Sequence, residues 1–499
     1  MIMFFSIYDF YLILPEIFLF LSILIVLLFS VILAMSENRG FPILNLSLGW
    51  VSFFVILFTY LILWNSSNLI VYLFNGLLFN DSIAYFSKNI ILVISVFWVF
   101  LSLLYINEER LNFFEIWILL LLALLTMLFL VSSFDLLSLY LSIELQSLIF
   151  YILASSKRTS EFSAEAGLKY FILGSFSSII LLLGFSFIYG LTGLTNFSDL
   201  SKLLISLNLF ASYSVSNSIL FSILLIIISL LFKIGVVPFH FWLPDVYEGA
   251  PSNITAFFAL FPKFVVLIVF SRLFISTFQS YFIFWQQILI FCVNLSLIVG
   301  SFGAFVQTKW KRFLAYSSIF HVGFILLAII NGTLKSIEGF LFYIVTYMVM
   351  TLSIFVIFFC LRIWEINSGQ LRYISDIKML FKANPLLALS LAIVLFSIAG
   401  VPPLIGFFSK LFVFLSLLEG GFFGLLFMSI LLSSLACFYY LRLIKIMYFE
   451  FFKDWPFFVV LEKKIAMTLS LSLFIVIFFF ANSEWVLLFI RDFALSFVL

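Results

Sequence analysis

Apolar residues run through this chain in about fourteen stretches, each close to the roughly 20 residues that carry an α-helix across a bilayer. They lie near 10–34, 46–64, 83–106, 113–132, 135–155, 166–191, 217–242, 251–274, 281–306, 312–331, 338–362, 385–418, 421–448 and 465–488. The bilayer interior offers no water to exposed backbone groups, so such stretches fold as helices or as a closed barrel. Leu, Ile and Phe supply the apolar mass without period-2 alternation, which excludes a barrel. The expected fold is therefore an all-α polytopic membrane protein. Composition agrees: with 65% hydrophobic and 10% charged residues over 499 positions, there is too little polar surface for a water-soluble protein of several domains. A net charge of +2 carries no nucleic-acid footprint. Cys292, Cys360 and Cys437 all fall inside apolar stretches and far apart, which suggests neither a disulfide frame nor a metal site.

Four ionisable residues stand alone in this apolar setting: Glu144, Lys233, Lys263 and Lys410. A charge at the bilayer centre costs roughly 2.5–3.5 kcal/mol or more, so together they point to a buried route for ions or protons. Two stretches are also interrupted. The seventh reads LLFKIGVVPFHFWLP, with Gly235 and Pro238 just after Lys233; the twelfth reads SIAGVPPLIGFFSK, with Gly400, Pro402, Pro403 and Gly406 before Lys410. Proline removes a backbone donor and clashes with the preceding turn, so both helices should be broken or kinked. The breaks are an odd number of spans apart, hence opposite in direction through the membrane. This predicts two inverted five-helix repeats, helices 4–8 and 9–13, built around a midplane site. The corresponding division is an N-terminal three-helix segment at 1–112, repeats at 113–280 and 281–450, and a C-terminal helix at 451–499.

The chemistry of the pattern is that of proton transfer. A buried lysine loses hydration when charged, and a nearby carboxylate restores the charged form. A Glu144–Lys233 pair can then act as a switch that sends a proton to Lys263 and on to Lys410. Lysine can release its proton where arginine cannot. His321, following Ser317 and Ser318 in the tenth stretch, titrates near neutrality and is placed to bridge the lysine regions. His240, just past the first break and near Asp245 and Glu248, reads as a packing or capping residue. Glu165 and Lys169 can pair on one helix face, and Asp135 is placed as a first-turn acid. The run KWKR, Lys309 to Arg312, reads as a topology anchor. No pair of histidines or carboxylates has metal-ligand spacing.

Sixteen Lys and Arg fall in loops after odd-numbered stretches, and five, Lys88, Lys202, Arg272, Lys335 and Arg491, on the opposite side. That asymmetry puts both termini on the outer side of the membrane. The N-terminus, with no basic region or small-residue cleavage site before Glu16, predicts a retained first helix.

The segment from Phe134 to Gly193, containing IELQSL and EAGLKY, resembles the chain-2 family of the proton-pumping NADH:quinone oxidoreductases, respiratory complex I. So do FKIGVVPFHFWLPDVYEGAPSNITAFFALFPK (Phe232 to Lys263), QTKWKRFLAYSSIFHVGF (Gln307 to Phe324) and AGVPPLIGFFSKLFVF (Ala399 to Phe414). The resemblance covers nearly the full length and looks closer to mitochondrial and proteobacterial forms. It implies a membrane-arm subunit of the mitochondrial inner membrane. Its proton relay would run through Glu144, Lys233, Lys263 and Lys410, with His321 added from the reading above. It further implies that this chain binds no redox cofactor, while NADH, FMN, iron–sulfur clusters and ubiquinone belong to other chains of the assembled enzyme. The implied partners are neighbouring antiporter-like and small membrane-arm subunits and membrane lipids, with no nucleic acid. Two rivals share the pattern: a free-standing cation/proton antiporter of the same ancestry, and a structural spacer whose lysines hold helices together. A channel is disfavoured because no acidic ring or filter motif is present.

Overall fold

The computed structural model describes residues 7–33, 45–65, 70–109, 113–157, 159–210, 213–362, 371–450, 463–479 and 483–495. Of the basic residues counted above, Arg39, Arg110, Arg158 and Lys453 lie outside the described residues. The N-terminal part holds α1 (Ile7–Leu12), α2 (Leu14–Leu33), α3 (Asn45–Asn65), a hairpin of β1 (Val71–Leu73) and β2 (Leu78–Asn80), and α4 (Ser82–Glu108). There follow α5 (Glu115–Ser132), α6 (Leu136–Ala154), α7 (Glu161–Thr192), α8 (Phe197–Phe210), α9 (Tyr213–Ile234), α10 (Trp242–Gly249) and α11 (Ser252–Ser271). The rest comprises α12 (Phe282–Val306), α13 (Trp310–Ile329), α14 (Leu334–Cys360), α15 (Leu380–Ala383), α16 (Pro385–Ala399), α17 (Ile405–Glu419), α18 (Phe423–Phe449), α19 (Lys463–Phe478) and α20 (Ser483–Leu495).

Among the described residues twelve helices are long and apolar enough to cross a membrane. The other two expected spans take different forms. The stretch 385–418 is divided into α16 and α17 by its Gly-Val-Pro-Pro interruption, and the stretch 465–488 is shortened, because α19 ends at Phe478 and the chain resumes as α20.

Every residue of α11 is buried, as are most of α13 and α14, so these three form the interior. A helix apolar on all sides belongs there. On α7, by contrast, Phe162, Leu168, Phe171, Ile172, Phe176 and Ile179 are exposed, a surface suited to lipid or a neighbouring membrane chain. Hydroxyls are satisfied within their own helices: Ser52, Ser95, Ser222, Ser296 and Ser397 each donate to the carbonyl three residues back, at 2.6–2.8 Å.

One short β-hairpin accompanies the helices of this all-α fold. Val71, Tyr72 and Leu73 pair with Asn80, Phe79 and Leu78 around a turn in which Phe74, Asn75 and Gly76 all have positive φ. Asn-Gly between apolar runs is a strong local hairpin signal. Asn196 anchors the turn by donating to the Gly76 carbonyl at 2.9 Å.

Two of the five basic residues expected on the outer side are not loop charges. Lys88 and Arg272 are buried in ion pairs that tie the N-terminal helices into the body. Lys88 of α4 meets Glu16 of α2 at 2.5 Å. Arg272, at the end of α11, donates to both carboxylate oxygens of Asp81 at 2.6 and 2.7 Å and to the Val131 carbonyl at 2.7 Å. Asp81 also accepts from the Ala84 N–H at 2.8 Å, capping α4.

Breaking a buried pair by removing one partner leaves an uncompensated charge and costs about 3–5 kcal/mol. Arg272→Met should therefore depress the thermal unfolding of the detergent-purified protein strongly, and adding Asp81→Asn should recover part of that loss. A double variant no more stable than the single one would contradict a charge-paired lock.

Candidate functional site

Both interrupted helices end in the same way. At the first break Gly235 has φ +86°, and the N–H groups of Gly235 and Val236 both return to the Leu231 carbonyl at 3.0 Å. At the second, Gly400 has φ +90°, and Gly400 and Val401 both return to the Phe396 carbonyl at 3.1 Å. This is a Schellman-type closure, which needs a residue in the left-handed region and so favours glycine. The prolines that follow prevent either helix from continuing.

The carbonyls freed at these ends find side-chain donors. The Trp242 indole donates to the Phe232 carbonyl at 3.0 Å, and the Lys410 ammonium donates to the Ala399 carbonyl at 2.6 Å. A helix C-terminus carries partial negative charge, so it suits a cation. Lys233, in the last turn of α9, occupies such a position too.

The structure places Lys263 and His321 in one cluster, with Lys410 close enough for its charge to act on His321. Lys263 on α11 is buried and donates to Ser318 of α13 at 2.6 Å, while Ser318 donates onward to the Ala315 carbonyl at 2.6 Å. The same ammonium lies 5.3 Å from the ring centre of Tyr247. His321, one turn beyond Ser318, is held at both ring nitrogens: Nδ1 is 2.9 Å from the Tyr343 hydroxyl and Nε2 is 3.1 Å from the Tyr440 hydroxyl. Beside Ser318 and His321 a cavity of about 20 Å³ is lined by Tyr247, Ser317, Tyr347 and Tyr440, among others. That is room for about one water molecule. The hydroxyls of Tyr247 and Tyr347 are buried there without a protein partner.

Glu144 and Lys233 are not joined in the same way. Glu144 is the charge whose field acts on Lys233, yet Glu144 Oε1 and the Lys233 ammonium are both buried without a hydrogen-bond partner. Lys410 is buried, bonded to the broken helix, and lies 5.7 Å from the centre of the Phe324 ring. Phe324 in turn stacks on Tyr343 at 6.1 Å.

Other expected contacts are redistributed. His240 is buried, with its ring 4.7 Å from that of Phe241 and its Nδ1 unpartnered. Asp245 and Glu248 turn instead to a charge network at the end of α10. Lys169 bonds Glu165 at 2.8 Å, as the i,i+4 spacing predicts, but also Asp245 at 2.9 Å. Arg312 bonds Asp245 at 2.9 Å, and Glu248 holds both Lys309 and Arg312. The Lys309 to Arg312 run thus clamps α10 to α13 in addition to any anchoring role. Asp135 caps α6 through the Leu137 N–H at 2.9 Å. Among the described residues no group of three or more His, Cys, Asp or Glu side chains gathers as metal ligands.

Residues 133–436, more than half of the chain, match the family model described as NADH:quinone oxidoreductase/Mrp antiporter, TM. The NADH-ubiquinone oxidoreductase chain 2 of Marchantia polymorpha is 42% identical over 475 residues, covering 95% of this chain and 96% of that relative. This chain belongs to the NADH-ubiquinone oxidoreductase chain 2 family. The NADH-quinone oxidoreductase subunit N of Rhodospirillum rubrum is 42% identical over 378 residues, 76% of each protein. The fold is shared with a chain of respiratory complex I from Thermus thermophilus, at 24% identity and a TM-score of 0.77, covering 95% of this chain and 98% of that one. It is shared equally with a chain of the Mrp complex from Dietzia, at 17% identity and a TM-score of 0.80, covering 96% of both.

In this chain-2 fold the tyrosines around the cluster were not singled out from sequence. The available signal is their depth: tyrosine gathers at membrane interfaces, and one in mid-span needs an internal partner for its hydroxyl. Tyr343 and Tyr347, one turn apart in α14, and the adjacent Tyr439 and Tyr440 in α18 fit that description.

The second break has a steric signature that can be tested. A Cβ on Gly400 would lie 2.9 Å from Lys410 Cδ and 3.1 Å from its Nζ, whereas one on Gly421, also at positive φ, meets nothing within 4 Å. Both Gly→Ala changes carry backbone strain of about 1–3 kcal/mol, but only Gly400→Ala should also displace the lysine. The melting temperature should fall further for Gly400→Ala than for Gly421→Ala, and equal falls would show that the contact with Lys410 is unimportant.

Proposed function

We propose that this chain is a membrane-arm subunit of a proton-pumping NADH:ubiquinone oxidoreductase of the mitochondrial inner membrane, and that it forms one proton-translocation unit. Chain-2 relatives from plants and from bacteria support membership of such an enzyme. The observation that carries the translocation reading is the buried Lys263 ammonium, bonded to Ser318, which lines a water-sized cavity together with His321. A lysine in that setting can pass its proton to a bound water or hydroxyl and take another.

In this reading Glu144 loads Lys233, Lys233 passes a proton towards Lys263, and Lys263 hands it through the cavity to His321 and on to Lys410. The Glu144–Lys233 spacing without an ion pair suits a switch that closes and opens. The cavity lining contains no carboxylate, so a sodium ion entering it would find no anionic ligand. That favours the proton over a metal cation as the species moved through this cavity.

The two breaks, Gly-Val-Val-Pro at 235–238 and Gly-Val-Pro-Pro at 400–403, support a division into inverted repeats, helices 4–8 and 9–13, with both termini on the outer side as the basic residues indicate. NADH, FMN, iron–sulfur clusters and ubiquinone then act in partner chains, and this subunit receives only the resulting charge displacement. Neighbouring antiporter-like and small membrane-arm chains, with lipid, would cover exposed faces such as that of α7.

Lys263→Ala should leave the complex assembled while lowering NADH-driven proton pumping by about 10-fold or more. Lys263→Arg should restore charge but not pumping, because arginine does not deprotonate. Proton uptake and NADH oxidation in the same membranes provide the measurement, and full pumping by Lys263→Ala would rule out the assignment.

A further inference from the structure

His321 sits in an unusual electrostatic position for a relay residue. Charged and titratable groups approach from five elements: Lys263 from α11, Lys410 from α17, Tyr343 and Tyr347 from α14, Tyr440 from α18 and Tyr247 from α10. None of them is a carboxylate. An imidazolium here would add a third positive charge to a buried site with no anion, and burying an unpaired charge is costly. Yet neither ring nitrogen is idle, since each is within hydrogen-bond distance of a phenol hydroxyl, at 2.9 and 3.1 Å.

A neutral imidazole has one N–H donor and one bare acceptor nitrogen. One tyrosine must therefore donate to His321 while the other accepts from it, and exchanging those roles exchanges the tautomer. Resting on the proton-translocation reading above, we infer that Tyr440 and Tyr343 turn His321 into a tautomer-switching link that passes protons without holding a net charge.

The step balances as follows. A proton arriving from the cavity forms an O–H bond at Tyr440, whose previous proton moves to Nε2. The Nδ1–H bond breaks as its proton moves to the Tyr343 oxygen, and the Tyr343 O–H bond breaks as its own proton passes to the neutral Lys410 amine, the acceptor on the exit side. One proton enters and one leaves, and His321 changes from the Nδ1–H to the Nε2–H tautomer while remaining neutral. Reset needs one more exchange: a water in the cavity takes the Nε2 proton and returns it to Nδ1 as the ring and the two hydroxyls turn back, so that no net proton moves in this step.

The surroundings match the two ends. Tyr440 and His321 both line the cavity next to Lys263, the entry side. Tyr343 stacks on the Phe324 ring, and the Lys410 ammonium lies over that same ring. The exit hydroxyl and the final lysine thus belong to residues that meet at one aromatic ring.

Tyr343→Phe and Tyr440→Phe, made singly in the assembled complex, remove one hydroxyl while keeping the ring. Each should lower proton pumping by about 10-fold and raise the solvent deuterium isotope effect on NADH oxidation above that of the wild type, with assembly unchanged. His321→Gln, which can donate and accept but cannot exchange tautomers, should show the same two changes. Tyr448→Phe, on the same helix but packed on Phe381 away from the clamp, serves as the control. If both clamp variants pump normally while Lys263→Ala does not, the tautomer link is wrong and the lysine relay stands. If Lys263→Ala also pumps normally, the relay itself fails. A fall in melting temperature with an unchanged isotope effect and unchanged pumping would reduce the clamp to packing.

Discussion

Everything in this structure depends on the absence of water from the space the helices occupy. A backbone or side-chain polar group that would be free in solution has to find its partner inside the protein, at a cost of several kcal/mol if it fails. Serine hydroxyls fold back onto their own helices for this reason, and the helix α11, buried on all sides, can carry Lys263 only because Ser318 accepts from it. The same demand explains the buried pairs Glu16–Lys88 and Asp81–Arg272, which hold the N-terminal helices against the body where exposed ion pairs would contribute little.

The two helix breaks use that constraint rather than evade it. Ending a helix in mid-membrane exposes carbonyls that need donors, and the chain supplies them with the Trp242 indole at one break and the Lys410 ammonium at the other. An interrupted helix is thereby a means of placing a cation where lipid would reject it. It also fixes what may stand at the turn: Gly400 is needed both for its left-handed backbone and because Lys410 fills the space a side chain would occupy.

The cluster around His321 shows a second use of low polarity. With no carboxylate lining the cavity, the groups best able to exchange hydrogen are neutral hydroxyls, an imidazole and amines. Such a set favours movement of a proton along existing hydrogen bonds over storage of a charge. In the proposed relay the lysines at either end are the places where charge resides, and the phenols and the imidazole are the path between them.

Hydropathy, the two Gly-Pro interruptions and the isolated ionisable residues were enough to read an all-helical membrane protein, the positions of both breaks and the residues Lys263 and His321, which the fold then brought into one cluster. These features are local: span length, a missing backbone donor and a charge among apolar neighbours are written in consecutive residues. The hairpin at 71–80 was local as well, through Asn75-Gly76, but was masked by the apolar runs on either side. Partner choice was not legible. That Lys88 and Arg272 are buried pairs rather than loop charges, that Asp245 and Glu248 face Lys169, Lys309 and Arg312 rather than His240, and that Tyr343 and Tyr440 grip His321 all depend on residues 22 to 191 positions apart in the chain. Sequence determined which segments must leave water and where their helices must stop, because those follow from composition and backbone chemistry. Only the packing of helices against one another decided which buried group meets which, because in a medium without water each polar atom accepts whatever partner the tertiary fold delivers.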